Sequence, residues 1–213
     1  MGAKDWMLAF CEKDARAVLR GGPSLERARA RIVAERLLPG CTLAEIEDGT
    51  LGENANPRDD LIYVGTFDGL TLVCTGLAAL DCPSQLPHRL LTAVPSSRVY
   101  LHAMHSVVDW FAYAVWIDGA LHRALSLAPD PGILENIGTP WAFEEPYWNG
   151  ERPVFDPQDL DPDEEPYPFA FHPLEFAESA LQELLGITFE GTARPEDVDP
   201  MEIPLAGFRI IRG

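Results

Sequence analysis

Residues 6–11 alternate Trp6, Leu8 and Phe10 with Met7, Ala9 and Cys11. A strand with that pattern is apolar on both faces, which predicts a place in the middle of a sheet. After Gly21-Gly22-Pro23, Ser24 has the character of an N-cap for a helix over 24–38. Leu25, Ala28, Ile32 and Val33 form its stripe, Arg27, Arg29, Arg31 and Arg36 lie mostly outside it, and Pro39-Gly40 ends it. A short strand over 42–47 follows and stops at Asp48-Gly49.

Apolar runs 61–67 and 70–75 flank Asp68-Gly69, and runs 111–117 and 120–127 flank Asp118-Gly119. A two-residue Asp-Gly loop favours the type I′ turn, so both are predicted β-hairpins. Residues 98–105 lead into the second through 106–109, which predicts a three-stranded antiparallel meander over 98–127. Its middle strand sets Phe111, Tyr113, Val115 and Ile117 against Trp110, Ala112, Ala114 and Trp116, and therefore needs cover on both faces. Helix 24–38 can supply one cover and a helix over 173–185 the other. The latter opens on Pro173, carries Leu174, Ala177, Leu181, Leu184 and Leu185 as a stripe, and closes at Gly186. Residues 187–189 and 205–211 read as closing strands.

Between these elements the pattern breaks down. Residues 140–173 hold eight prolines together with Trp141, Phe143, Tyr147, Trp148, Phe155, Tyr167, Phe169 and Phe171. Missing amide donors exclude long regular elements, while so many rings argue against simple disorder, predicting an ordered wrap with a mobile acidic tip at 156–165.

The 213 residues suit one α+β domain spanning 1–213: a largely antiparallel sheet with two hairpins, two main helices and the acidic wrap. The formal charge of −18 opposes binding to nucleic-acid backbones and anionic membranes. No run approaches the ~20 apolar residues of a membrane span, and the N-terminus lacks a basic start to a leader, predicting a soluble, cytoplasmic chain. Cys11, Cys41, Cys74 and Cys82 show no close pairing and read as reduced thiols. The 14 Arg to 2 Lys point to a GC-rich source.

Most of the charge is local. Residues 144–202 contain 17 Asp or Glu against Arg152 and Arg194, a net of −15 within the total of −18. Concentrated carboxylates with rings between them can steer a basic protein and anchor it, which assigns Trp141, Phe143, Glu144, Glu145, Tyr147, Trp148, Asp161, Asp163, Glu164 and Glu165 to partner binding. The alternative is a solvated face. Calcium binding by 156–165 is disfavoured because the spacing is not that of an EF-hand and Pro157 and Pro162 constrain it.

A thiol- or metal-dependent hydrolase is the competing possibility. Cys74 could be the nucleophile with His105 and Asp109 behind it, and His102-x-x-His105 has zinc-ligand types. On a strand, however, 102 and 105 point to opposite sides, and a buried structural role suits both histidines and Cys74 better. Glu45, Glu47 and Asp48, with Glu144 and Glu145, could form an acid–base pair only if folding set their separation. The common nucleotide-binding and α/β-hydrolase motifs are absent, and no cofactor is predicted. A third possibility is a self-associating structural subunit.

Four stretches carry a resemblance: the opening Met1-Gly2-Ala3-Lys4-Asp5-Trp6-Met7; His105-Ser106-Val107-Val108-Asp109-Trp110-Phe111-Ala112-Tyr113 with Asp118-Gly119; Glu135-Asn136-Ile137-Gly138; and Phe143-Glu144-Glu145-Pro146-Tyr147-Trp148. Together they resemble an uncharacterised family of roughly 200-residue actinobacterial proteins, across nearly the whole chain. The resemblance implies a stand-alone cytoplasmic protein and brings no catalytic residues. The reading favoured is a non-catalytic accessory or immunity-type protein that presents an acidic aromatic surface to a basic partner.

Overall fold

The computed structural model describes residues 3–154 and 167–211. Strand β1 (Lys4–Cys11) is followed by helices α1 (Ala15–Arg20) and α2 (Arg27–Leu37), strands β2 (Thr42–Glu45) and β3 (Gly49–Thr50), and one turn of helix, α3 (Leu51–Asn54). The hairpin β4 (Leu61–Phe67) and β5 (Leu70–Cys74) comes next, then the short helix α4 (His88–Leu91). Four strands run consecutively, β6 (Arg98–His105), β7 (Trp110–Ile117), β8 (Ala120–Ala128) and β9 (Gly132–Gly138). Helices α5 (Glu145–Trp148) and α6 (Pro173–Leu185) and strand β10 (Pro204–Ile211) complete the described chain.

All ten strands join one antiparallel sheet in the order β2-β10-β4-β5-β1-β6-β7-β8-β9, with β3 also paired to β10. As its two apolar faces predict, β1 is central, with Met7 opposite both Cys74 and His102. One face meets α2 through Ala30, Val33, Ala34 and Leu37, over Leu8, Phe10, Leu101 and Ala112. The other meets α1 through Ala15 and Leu19 and α6 through Phe176, Ala177, Ala180 and Leu181, over Met104, Phe111, Tyr113 and Leu125. Each large apolar side chain buried this way contributes about 1.5–3 kcal/mol, so the two covers are what stabilise an otherwise two-sided apolar sheet.

Several expectations shift where tertiary contacts override local pattern. The helix expected from Ser24 starts at Arg27 instead, because Glu26 pairs with β4: its N–H donates to the Thr66 carbonyl at 3.0 Å and its carbonyl accepts the Thr66 hydroxyl at 2.8 Å. Asp118 and Gly119 have φ of 50° and 78°, as a type I′ turn requires. In the other hairpin only Gly69 is left-handed, at 87°, so that loop is not type I′. There the Gly69 carbonyl accepts the N–H groups of Glu12 and Lys13, and Lys13 Nζ reaches Asp68 at 2.6 Å. Residues 187–189 form no strand, while 205–211 fall within β10, which lies inside the sheet between β2 and β4. Helix α1, capped by Asp14 on the Ala17 N–H, and the edge strand β9 add to the elements expected from the pattern.

Candidate functional site

The region expected to carry function begins where β9 ends. Gly138 turns the chain with a φ of 83°, and an added Cβ there would meet the His122 carbonyl oxygen at 2.0 Å. Past Pro140, a 3-10 turn at Ala142–Glu144 runs directly into α5. Phe176 of α6 is the hub that holds this segment. Tyr147 stacks flat on it at 4.4 Å, while Phe143, Trp148 and Phe171 pack around it at 6.1, 5.9 and 5.4 Å, and Phe111 reaches it from β7 at 5.4 Å. The wrap is thus ordered by rings at 141–148 and 169–171, where prolines bar longer elements.

Under the rings lies a buried polar network. Arg123 and Glu144 are both 0% exposed. Arg123 Nε donates to Glu144 Oε1 at 2.8 Å and Nη2 to Oε2 at 2.7 Å, the parallel fork suited to a carboxylate. Oε1 also accepts the Tyr113 hydroxyl at 2.5 Å and the Trp141 N–H at 2.7 Å, and Oε2 accepts Trp148 Nε1 at 3.1 Å. The third arm of Arg123, Nη1, donates to Asn136 Oδ1 at 2.6 Å and to the Ile137 carbonyl at 2.9 Å. Burial pushes the Glu144 carboxyl up, but the hydrogen bonds from Arg123, Tyr113, the Trp141 amide and Trp148 outweigh it and hold it below the usual range. Burial, followed by the Glu144 charge, pushes the Tyr113 phenol far above its ordinary value. With five donors on one carboxylate, no lone pair is left for a substrate, so the network is a structural clamp.

A second buried pair lies under α6. His102 Nδ1 stands 2.8 Å from Asp5 Oδ1, and its Nε2 stands 3.1 Å from the Ala177 carbonyl. Both ring nitrogens face acceptors, so the arrangement is satisfied by the imidazolium. Burial lowers the His102 pKa, but the Asp5 charge and the hydrogen bonds to Asp5 and Ala177 more than reverse this, leaving it raised.

The hydrolase residues do not converge. Cys74 is 0% exposed on the α6 side of the sheet, and burial, followed by the nearby Asp5 charge, pushes its thiol far above the range of a reactive cysteine. His105 lies on the opposite face, stacked on Trp6 at 5.9 Å, with burial and then Lys4 lowering its pKa. His102 is committed to Asp5 and Ala177. Asp109 sits in the β6–β7 loop with a φ of 47° and accepts the Tyr167 hydroxyl at 3.1 Å. Alternation along the strand separates 102 from 105 as the sequence predicts, and a sealed Cys74 overturns the thiol reading. Among the described residues no group of three His, Cys, Asp or Glu is placed to hold a metal ion.

The partner-binding set divides. Glu144 and Tyr147 are buried and belong to the interior, which corrects their assignment to the surface. Trp141, Phe143 and Trp148 are half-buried against the same core, and Glu145 is exposed. Asp161, Asp163, Glu164 and Glu165 lie outside the described residues, as does the expected acidic tip.

Three of the four stretches that carry the family resemblance meet in this clamp, supplying Tyr113, Asn136, Ile137, Glu144 and Trp148. A family model described as a family of unknown function, DUF6928, matches residues 5–208. The chain belongs to DUF6928. In this DUF6928 chain these motif residues join β7, β8, β9 and the segment leading into α5 through one hydrogen-bonded network. No curated protein matches it, and no solved structure matches it. Arg123 is the participant that the sequence did not single out. An arginine at the inner end of an apolar strand, between Leu121 and Leu125, was the available signal.

Proposed function

We propose that this chain is a non-catalytic binding protein of the cytoplasm that receives a basic protein partner on the carboxylates of its C-terminal third, as an accessory or immunity-type protein. The observation that carries this reading is that carboxylates are paired with Arg or Lys more often in the N-terminal half than among the described residues of 144–202. In the N-terminal half Glu26, Glu35, Glu45, Asp48, Asp60 and Asp68 each stand within 4.0 Å of an Arg or Lys. Among the described residues of 144–202, only Glu144 and Glu183 have such a partner. Glu145, Glu175, Glu190, Glu196 and Glu202 are exposed. The ring cluster fixes the segment that bears Glu145 and the helix that bears Glu175, so these charges are displayed at defined positions, and fixed like charges steer an oppositely charged partner. The arginine-rich coding bias supports an actinobacterial source.

The test is a pull-down at low and high ionic strength with the native chain and a Glu175→Gln, Glu190→Gln, Glu196→Gln variant. A basic protein retained at low salt, released by added salt and lost by the variant is expected. Retention indifferent to salt and to the substitutions, or no retention at all, overturns the proposal.

A second reading, self-association, is favoured by one feature. The edge strand β9 exposes Ile133, Leu134 and Ile137 beside a backbone edge that no strand pairs among the described residues, a template for another strand. Light scattering over a concentration series separates it from a monomer.

A further inference from the structure

A polar cleft of about 650 Å³ opens beside α6, and its walls differ in character from the surface around it. Arg152 and Arg194, the only two arginines among the 17 carboxylates of 144–202, both line it. Neither stands within 4.0 Å of a carboxylate among the described residues. Their side chains come from segments more than 40 residues apart in the chain yet act on one point. Burial raises the Tyr147 pKa, and, after the Ser179 hydrogen bond, the charges of Arg152 and Arg194 pull it back. The Tyr147 hydroxyl is itself held, donating to the Glu175 carbonyl at 2.9 Å and lying 2.6 Å from Ser179 Oγ. The opposite charge is also present: Glu175 and Glu190 line the cleft and are exposed. Glu178 is already occupied, accepting from Thr188 Oγ1 at 2.5 Å and from the amides of Phe189 and Glu190 at 2.9 Å.

We infer that this cleft binds a free α-carboxylate carried next to a cationic group, with Arg152 and Arg194 taking the carboxylate and Glu175 and Glu190 the cation. Two guanidiniums with no carboxylate partner among the described residues favour an oxyanion, since charge-assisted N–H···O bonds are the strongest such contacts. Three carboxylates against two arginines disfavour a phosphate dianion, which leaves a zwitterion as the matched ligand. The volume is that of a ligand pocket and exceeds what one amino acid fills. This deepens the partner-binding reading by naming the group on the partner that enters the cleft, its chain terminus. A free short peptide has the same chemistry.

The experiment is calorimetric titration of the full chain with glycyl-lysine, with its C-terminal amide, and with a lysine-rich decapeptide ending in the same two residues. The free dipeptide is expected to bind saturably, and the amide about tenfold or more weaker, because the amide lacks the charge that the arginines meet. Arg152→Gln and Arg194→Gln, both on the surface, are each expected to weaken the free acid about tenfold with an unchanged melting temperature. A decapeptide that binds much more tightly than the dipeptide and loses that gain in Arg152→Gln identifies a protein terminus as the source, and equal binding identifies a small peptide. Equal binding of acid and amide, indifference to both arginine changes, or no heat with any of the three overturns the inference. Salt-sensitive capture of a partner that is unaffected by Arg152→Gln would leave the acidic surface standing and remove only the cleft.

Discussion

Arg123 and Glu144 meet as a two-pronged ion pair in the interior, with both carboxylate oxygens engaged at 2.8 and 2.7 Å. The pair ties β8 to the turn before α5 and thereby places the start of the wrap. Glu144→Gln leaves the guanidinium buried without its counter-charge, which costs about 3–5 kcal/mol. Urea unfolding is expected to show that loss, and the Arg123→Met, Glu144→Met double variant to lose less than the sum of the singles. Additive losses would mean that the two groups do not act together.

The Asp5–His102 pair sets a pH limit on the alkaline side. The folded-state pKa of His102 is raised, so its contribution to stability is fully present below the ordinary histidine value of about 6.5 and is lost as pH rises through the folded value. Glu144 acts in the opposite sense: its pKa is lowered, so its contribution is present above the ordinary glutamate value and is lost as pH falls through the folded one. Unfolding free energy is therefore expected to peak between the two limits, and His102→Gln is expected to flatten the alkaline fall. An unaltered alkaline slope in that variant would remove His102 as its cause.

Thiol accessibility checks the placement of the cysteines. Cys11 and Cys74 are buried, and Cys41 and Cys82 are partly exposed. An aromatic disulfide reagent is expected to titrate two thiols in the native chain and four after denaturation. Prompt native labelling of Cys74, read by peptide mass, would reopen the nucleophile reading.

Gly138 marks where β9 gives way to the wrap. Gly138→Ala would meet the His122 carbonyl at 2.0 Å and hold alanine at a φ of 83°, with an expected loss of about 2 kcal/mol or more. Gly119→Ala in the exposed turn meets nothing within 4 Å, so it bears the left-handed cost alone and is expected to lose less. Thermal melts of the two variants decide between clash and conformation.

Much of the architecture was legible because period and turn chemistry are local. The two-sided apolar runs at 6–11 and 110–117 demanded a covered sheet, and β1 and β7 both lie inside one with helices over each face. Pro173 and Gly186 bounded α6 to the residue, Gly186 adopting φ 68° as a left-handed cap. Ser24 misled because Glu26 finds its partner in Thr66, 40 residues on. Strand β9 escaped notice because an edge strand with exposed isoleucines has no period to betray it.

The two adjacent glutamates 144 and 145 mark the boundary between the two kinds of knowledge. From its own letters the chain already determined that rings and carboxylates are crowded together in 141–148, that proline bars long elements there, and that the surplus of negative charge belongs to the C-terminal third. Which glutamate turns inward was decided only in three dimensions: Arg123 stands 21 positions earlier, and the strand pairing that delivers its guanidinium beneath Trp141 leaves Glu145 facing water. Local sequence specifies backbone preference and polarity, but whether a charge is buried depends on whether a distant group arrives to compensate its lost hydration.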